Sequence, residues 1–498
     1  MASSDQDYHF ALEKGLQWWI TNSTAPLGKN LSQLLKVCGD KDVATTLRGQ
    51  LDIKYEGDHI STTSHIFDST VDINCTLVND ITPLMIASSC GHIETVEVLL
   101  QGGAKINKNA DVNDQDKEGW TALILASQNG HSQVVELLLK KNADVNRNTE
   151  KGWNALMIAS QKGHTQVVEL LLQENTDVSV QATNGANALM FAVDQGHIQI
   201  AELLLKKTEN VNIQDKNGNT ALILASKKGQ LFVVELLIKK NADVNIQKED
   251  GATALMLASQ NGHSQVVELL LKENADVNIV KEDGATALML ASQNGHTQIV
   301  ELLLKECGYV NIQKEDGATA LMLASQNGHS QVVELLLKEN ADVNIQSKEG
   351  VTALMRASRN GHNQVVELLL KENADVNIQK EDGETALMLA SRNGHTQVVE
   401  LLLKENVDVN KVAEKGWTAL MLASQFGHTQ VVELLLQENT DVNVQATNGA
   451  NALMFAVEQG HTQIAELLLK KTENVNTQDK NGYSALMLAS KNDHIQVC

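Results

Sequence analysis

The chain repeats itself every 33 residues over most of its length. A Thr, Asn or Ser followed by Ala-Leu recurs at this spacing, at Thr121, Asn154, Asn187, Thr220, Thr253, Thr286, Thr319, Thr352, Thr385, Thr418, Asn451 and Ser484. One further unit begins at Thr82, so we count thirteen units, the last of them incomplete. A period in this range is typical of a solenoid, in which each unit contacts only its neighbours.

Each unit carries its own helix start and stop signals. In the sixth unit, Thr253 is predicted to N-cap a short helix, ALMLASQN, and Gly262 to end that helix in the left-handed conformation. A second helix, SQVVELLLKE, is predicted directly afterwards, with Asn274 as its left-handed cap. The stretch ADVNIQKEDG then reads as an extended turn to the next helix pair.

The second helix of this unit carries a wide apolar stripe. Its members are Val266, Val267, Leu269, Leu270 and Leu271. A single unit cannot bury such a stripe, whereas stacked neighbours can cover it on both sides. We therefore expect one continuous aliphatic core, which agrees with 42% hydrophobic but only 3% aromatic residues.

Composition also limits the partners and the compartment. The chain has 40 basic and 62 acidic residues, and its net charge of -22 repels phosphate backbones, so nucleic acid is not an expected partner. The five cysteines are scattered and include no Cys-x-x-Cys pair, which favours a reducing, cytoplasmic location. No leader peptide and no run of 18 apolar residues is present, so membrane insertion is not expected.

The unit also resembles a known repeat. Thr82-Pro83-Leu84, the Gly262-His263 step and the "ADVN" endings resemble the ankyrin-repeat family over residues 80–498. The resemblance implies an all-α solenoid of about 13 stacked helix pairs with projecting β-turns, whose concave side binds other proteins. There are two departures from the family pattern. The proline is alanine in every later unit, as at Ala122 and Ala155, and the family's histidine is methionine or isoleucine throughout.

The residues before the array are treated separately. Residues 1–51 are predicted to form a short helical segment, in which residues 11–51 resemble the last helices of a death-fold domain; residues 52–79 read as a polar linker, and 80–498 as the array. The abrupt stop at Cys498 leaves open that the chain is a fragment at one or both ends.

The repeated columns argue against catalysis. Twelve of the 15 histidines occupy one column and eleven of the 12 methionines another. One residue per repeat cannot converge on a metal, because stacked helices lie about 8–10 Å apart whereas ligands lie within about 2.1 Å of zinc. An enzyme needs an unrepeated constellation of acid, base or nucleophile, and the array offers none. We therefore predict no enzymatic activity, no cofactor and no metal.

What varies between repeats is more informative about binding. The residue after the turn glycine and the pair after the first helix change from unit to unit, and aromatic residues at such positions commonly anchor interfaces. The predicted partner-binding residues are Trp120, Trp153, Gln128, Asn129, Trp417, Phe426 and Tyr483. They form two predicted patches, one around Trp120 and Trp153 and one around Trp417; the alternative is that each indole only packs on its own turn.

Both aromatic patches adjoin copies of one block. Residues 437–482 repeat residues 173–218 with only four changes, at an offset of 264 residues or eight units. The array is therefore expected to bind either two copies of one partner or one long partner.

From the repeat pattern and the composition together, we predict a monomeric intracellular scaffold or adaptor that binds protein partners. The alternative is the regulatory or tethering part of a larger enzyme or membrane receptor whose effector domain lies outside these 498 residues.

Overall fold

A computed structural model describes residue 76 and residues 78–101, 110–306, 309–472 and 474–494 of the chain. The segment 11–51, for which death-fold helices were predicted, lies outside the described residues, as does nearly all of the linker 52–79.

The described chain is a series of helix pairs, which confirms the predicted all-α solenoid. The first helices of repeats one to thirteen are Pro83–Ser89, Ala122–Asn129, Ala155–Lys162, Ala188–Gln195, Ala221–Lys227, Ala254–Asn261, Ala287–Gln293, Ala320–Asn327, Ala353–Asn360, Ala386–Asn393, Ala419–Phe426, Ala452–Glu458 and Ala485–Lys491. The second helices of repeats one to twelve are Ile93–Gln101, Ser132–Lys140, Thr165–Gln173, Ile198–Lys207, Leu231–Lys239, Ser264–Lys272, Thr297–Glu306, Ser330–Lys338, Asn363–Lys371, Thr396–Leu403, Thr429–Leu435 and Thr462–Leu469. Short 3-10 turns lie at Val78–Asp80 and Glu414–Gly416, and an isolated bridge joins Gln478 to Ser484.

The predicted helix signals are confirmed in the sixth repeat. The Thr253 hydroxyl accepts a hydrogen bond from the Met256 amide at 3.3 Å, and Gly262 ends the first helix at a φ of 82°. Asn274 follows the second helix at a φ of 61°. A side-chain cap and a left-handed stop in each unit keep the helices short and make the chain turn back.

The buried stripe of the second helix is narrower than predicted. Val266, Val267 and Leu270 are at most 2% exposed, but Leu269 and Leu271 are only half-buried. The prediction was wrong for these two leucines because they lie on the flanks of the face that Val266, Val267 and Leu270 define at helical spacing. The first helices are buried more completely, and Leu255 and Met256 are each 1% exposed.

The chain divides into two compact units. Of the described residues, one unit comprises those up to Ala225 together with Phe232–Asp243, and the other comprises Ser226–Leu231 together with those from Val244 onward. Among repeats one to four, and likewise among repeats six to twelve, first helices of successive repeats pack on one another, second helices do likewise, and each first helix packs on its own second helix. The core of each unit therefore lies between a layer of first helices and a layer of second helices.

The histidine column holds successive repeats together. The ring Nε2 of His296 lies 3.1 Å from the carbonyl oxygen of Gln260 in the preceding repeat. A Cβ on Gly262 would lie 2.8 Å from the His296 ring, so this glycine is required both for its positive φ and for the space it leaves. The column is structural, as its periodicity predicted.

The turns are also joined from repeat to repeat. The Lys281 amide donates to the Ala285 carbonyl at 3.0 Å and closes one turn, while the Glu282 amide donates to the Asp250 carbonyl of the preceding turn at 3.0 Å. The residue after the turn glycine, Ala285, is thus held within its own turn, and this turn is held to the preceding one. No helix in the described ranges has both the length and the apolar character needed to cross a membrane.

Candidate functional site

Two tryptophans of the variable turn column stack on phenylalanines of the following repeat. The ring centroids of Trp153 and Phe191 lie 4.2 Å apart with an interplanar angle of 26°. The ring centroids of Trp417 and Phe455 lie 4.5 Å apart with an angle of 22°. Both arrangements have the close, offset geometry that aromatic pairs prefer.

The turn positions each indole. The Trp153 amide donates to the Thr149 hydroxyl at 3.1 Å, and its carbonyl accepts from the Thr149 amide at 2.9 Å. Phe191 lies on the first helix of the next repeat, whose N-cap is Asn187. In the second stack, the Ala413 amide donates to the Trp417 carbonyl at 2.8 Å. Closed turns on one side and capped helices on the other hold the two rings in place.

The indoles keep part of their surface in contact with solvent. Trp153, Trp417 and Phe191 are half-buried, and Phe455 is 5% exposed. The indoles of Trp153 and Trp417 therefore pack on the following repeat. For these two residues, the alternative that an indole packs only on its own turn was wrong. A large ring that is already held in place can contact a partner at a low cost in conformational entropy.

Trp120 occupies the same turn position in repeat two and is half-buried. Its amide donates to the Asp116 carboxylate at 2.8 Å. Burial raises the pKa of Asp116, although the amides of Trp120, Glu118 and Gly119 oppose that rise by hydrogen bonding to the carboxylate. The Asp116 carboxylate thus anchors the backbone of this turn.

Phe426 and Tyr483 are the more exposed members of the predicted second patch. Phe426 is 51% exposed, and its ring centroid lies 6.5 Å from that of His428. Tyr483 is 37% exposed, and Lys491 Nζ lies 5.0 Å from its ring centroid. Within the described chain, no ring contact joins Trp417 to Phe426 or Tyr483.

Gln128 and Asn129, which were predicted to bind a partner, also form hydrogen bonds within the array. The Asn129 side-chain amide donates to the carbonyl oxygens of Ser89 and Leu125, each at 3.1 Å. The Gln128 carbonyl oxygen lies 2.9 Å from the ring Nε2 of His164. These polar groups connect neighbouring repeats, so substitutions here would disturb the stack as well as a binding surface.

Sequence reasoning did not single out the phenylalanines that complete the stacks. Phe191 and Phe455 differ by the same 264 residues as the two copies of the block, and they replace the Leu or Ile of most other repeats. The sequence could therefore have identified Phe191 and Phe455 as unusual residues of this column. It could not have predicted their contacts with tryptophan, because these contacts depend on the register between successive layers.

A charged cluster in repeat ten was not predicted from the sequence. Glu384 occupies the same variable column as the tryptophans, but it is 5% exposed and ion-paired with Arg392 and with Lys380, whose Nζ lies 3.2 Å from Glu384 Oε2. Burial lowers the pKa of Lys380, but hydrogen bonds to Asp382 and Glu384 outweigh it and raise that pKa overall. Among the described residues, no group of three or more His, Cys, Asp or Glu side chains could hold a metal ion.

Comparison with known proteins agrees with the architecture. A family model described as "Ankyrin repeats (3 copies)" matches overlapping stretches that together run from residue 53 to residue 498: 53–149, 106–182, 156–248, 207–281, 234–313, 255–347, 307–380, 354–446 and 435–498.

Short regions of the chain also match curated proteins. It is 39% identical over 61 residues to mouse "Ankyrin repeat and SAM domain-containing protein 6" (12% of this chain, 6% of that protein). It is 48% identical over 59 residues to human "Transient receptor potential cation channel subfamily A member 1" (12% of this chain, 5% of that protein). It is 36% identical over 87 residues to "Ankyrin repeat and KH domain-containing protein mask" of Drosophila melanogaster (18% of this chain, 2% of that protein). The matched regions thus span only 2% to 6% of these relatives.

Proposed function

The chain belongs to the ankyrin-repeat family, and we propose that it is an intracellular, monomeric scaffold that binds protein partners on the concave face of its array. Repeats of this family are protein-interaction modules, and a fold of this kind leaves the identity of the partner to the surface residues. The binding residues we propose are the two tryptophan–phenylalanine stacks, Trp153 with Phe191 and Trp417 with Phe455, each of which holds a partly exposed indole.

The observation that carries this proposal is that the stack occurs twice with nearly the same geometry. Centroid distances of 4.2 and 4.5 Å place the two indoles alike on the following repeat. Several other repeats have alanine in this column, and two of these alanines, Ala252 and Ala318, are fully buried. Two like aromatic surfaces support binding to two copies of one apolar segment, or to one long partner that contains the segment twice.

We also propose that the chain is not an enzyme, needs no cofactor and does not bind nucleic acid. Its titratable residues recur from repeat to repeat without a distinct constellation, and the net charge of -22 disfavours polyanions. A cytoplasmic location is part of the same proposal, since scattered cysteines suit a reducing compartment.

The test is partner capture from a native cytosolic extract with quantitative mass spectrometry. Wild type, W153A, W417A and the double variant are compared, with Q265E as a surface control at an exposed position. We expect specific partners to be reduced in each single variant and lost in the double variant, because buried indoles commonly contribute about 2 kcal/mol or more at an interface. Full retention of every partner by the double variant would show that the indoles are structural.

The second candidate is a regulatory or tethering part of a larger enzyme or membrane receptor. The observation that favours it is the match to a human cation channel over 59 residues that form 5% of that channel. Sequencing of full-length transcripts distinguishes the two candidates, because an attached channel, kinase or ligase domain would favour the second.

A further inference from the structure

The first helix of repeat nine differs from its neighbours by two arginines. Residues 353–360 read ALMRASRN, whereas residues 254–261 and 320–327 read ALMLASQN. Arg356 and Arg359 therefore replace a leucine and a glutamine. The whole chain has five arginines, at Arg48, Arg147, Arg356, Arg359 and Arg392, so three of them lie in the first helices of repeats nine and ten.

In repeat ten, Arg392 of the first helix pairs with a carboxylate of the turn. It forms an ion pair with Glu384, which lies eight residues earlier on the turn of the same repeat and whose side chain is 7% exposed. A guanidinium suits such a carboxylate because its planar fork of donors matches the two oxygens. Repeat ten therefore contains a built-in carboxylate that an arginine of the first helix holds.

Repeat nine has the arginine without the carboxylate. Arg359 occupies the position of Arg392 one repeat earlier, and Val351 occupies the position of Glu384, with the same separation of eight residues. Arg359 is exposed, and no side-chain partner of its guanidinium is present among the described residues. Val351 is half-buried, so the turn offers an apolar surface where repeat ten offers an acid.

Arg356 lies one helical turn before Arg359 and is incompletely paired. Its Nη1 donates to the Gln326 side chain at 2.5 Å, while its buried Nε has no hydrogen-bond acceptor within the described residues. Burial lowers the pKa of Arg356, and the charges of Asp316 and Glu349 oppose that effect. Asp316 is itself engaged by Lys314, whose Nζ lies 2.8 Å from its carboxylate. A buried donor without an acceptor destabilises the fold, and leucine at this position avoids that loss.

From this geometry we propose that Arg356 and Arg359 form a docking site for an acidic segment of a protein partner, which places a Glu or Asp carboxylate against Arg359 as Glu384 is placed against Arg392. The net charge of -22 repels acidic peptides from the chain as a whole, so binding requires a local basic site of this kind. The site is separate from the aromatic stacks and does not depend on them.

The test uses the full chain and a fluorescein-labelled peptide of alternating glutamate and alanine, followed by fluorescence anisotropy at low salt. The variant R356L/R359Q restores the helix sequence of repeats six and eight, so it preserves a helix that this array already accommodates. We expect its affinity for the peptide to fall about tenfold or more, because charge-assisted hydrogen bonds are lost. Its stability against urea should be equal to or greater than that of wild type, since the unpaired buried donor is removed.

Matched variants separate the site from general charge effects. V351E supplies repeat nine with the acid that repeat ten has, so we expect it to occupy Arg359 and weaken peptide binding, whereas Q265E makes the same charge change at an exposed remote position and should not. R392Q should leave the affinity within about twofold, because Arg392 is already paired with Glu384. W153A/W417A should bind the acidic peptide normally even if it loses the partners of the proposed scaffold.

Three outcomes would overturn the proposal. The first is unchanged affinity in R356L/R359Q. The second is equal binding of a peptide in which glutamine replaces glutamate, which would show that no carboxylate is recognised. The third is binding of a phosphoserine-containing peptide without binding of the glutamate peptide, which would assign the site to phosphate.

Discussion

The two aromatic stacks are copies of one arrangement with different neighbours. Trp153 and Trp417 follow a turn glycine and stack on Phe191 and Phe455 with interplanar angles of 26° and 22°. The helix that follows each tryptophan ends differently: its last residue is Lys162 in the first copy and Phe426 in the second copy. The stack is therefore set by residues that both copies share, while the end of the helix is free to vary. We infer that the shared part supplies affinity and the variable part supplies partner preference.

The largest expected effect tests whether the two copies are equivalent in their cores. Leu171 and Leu435 occupy equivalent positions of the second helix and are both 0% exposed. L171A and L435A should each lower local stability by about 2–5 kcal/mol, and by similar amounts, because a cavity opens in the same surroundings. Hydrogen exchange measures this locally. A loss below about 1 kcal/mol in only one copy would contradict their equivalence.

The next effect concerns the stacks themselves. In a double-mutant cycle, W153A with F191L and W417A with F455L should each show a coupling of about 0.5–1.5 kcal/mol, the usual value for an aromatic pair. Alanine and leucine are suitable replacements because other repeats carry them at these positions, as at Ala252 and Leu257. Urea denaturation provides the four free energies of each cycle. Coupling near zero would mean that the rings touch without stabilising the array.

Exchange of the differing residues should alter binding more than stability. K162F and F426K each place the other copy's residue at the end of the first helix, where Phe426 is 51% exposed. We expect stability to change by less than about 0.5 kcal/mol, as for most surface substitutions. F426K should weaken and K162F should strengthen binding of an apolar peptide, measured in proteins that retain only the adjacent tryptophan. Unchanged affinities would remove the proposed role of this position in preference.

The smallest effect is a pH dependence confined to the first copy. The Ser179 hydroxyl donates to the Asp177 carboxylate at 2.6 Å and the Ser179 amide does so at 2.8 Å, and together they outweigh burial and lower the pKa of Asp177. A lowered pKa stabilises the fold above the unfolded-state pKa of about 3.9, and this stabilisation is lost as pH falls through the folded-state pKa.

The second copy has Asn443 in place of Ser179, so S179N is the natural comparison. S179N should lower the urea midpoint slightly at about pH 7, and the difference from wild type should shrink at about pH 3. Because Asp177 is largely exposed, the effect should be small. An equal difference at both pH values would show that the hydroxyl does not act through the charge of Asp177.

Local signals predicted the repeat well, and contacts between repeats limited what could be predicted. Thr253 and Gly262 mark the ends of a helix because capping and positive φ are properties of a few consecutive residues. The half-burial of Leu269 and the stacking of Trp153 on Phe191 depend instead on how successive layers align. The columns named for binding were chosen by their variation, and their role in binding remains a prediction.

The stoichiometry of a peptide that the stacks select tests most directly whether the two stacks are equivalent binding sites. A peptide library is enriched on the wild-type chain after counter-selection on W153A/W417A, and the binding of an enriched peptide is measured by calorimetry. We expect two equivalents to bind per chain, one for each stack, and one equivalent to bind to either single variant. Failure to enrich any peptide, or a stoichiometry that neither tryptophan substitution changes, would contradict a binding role for the two stacks.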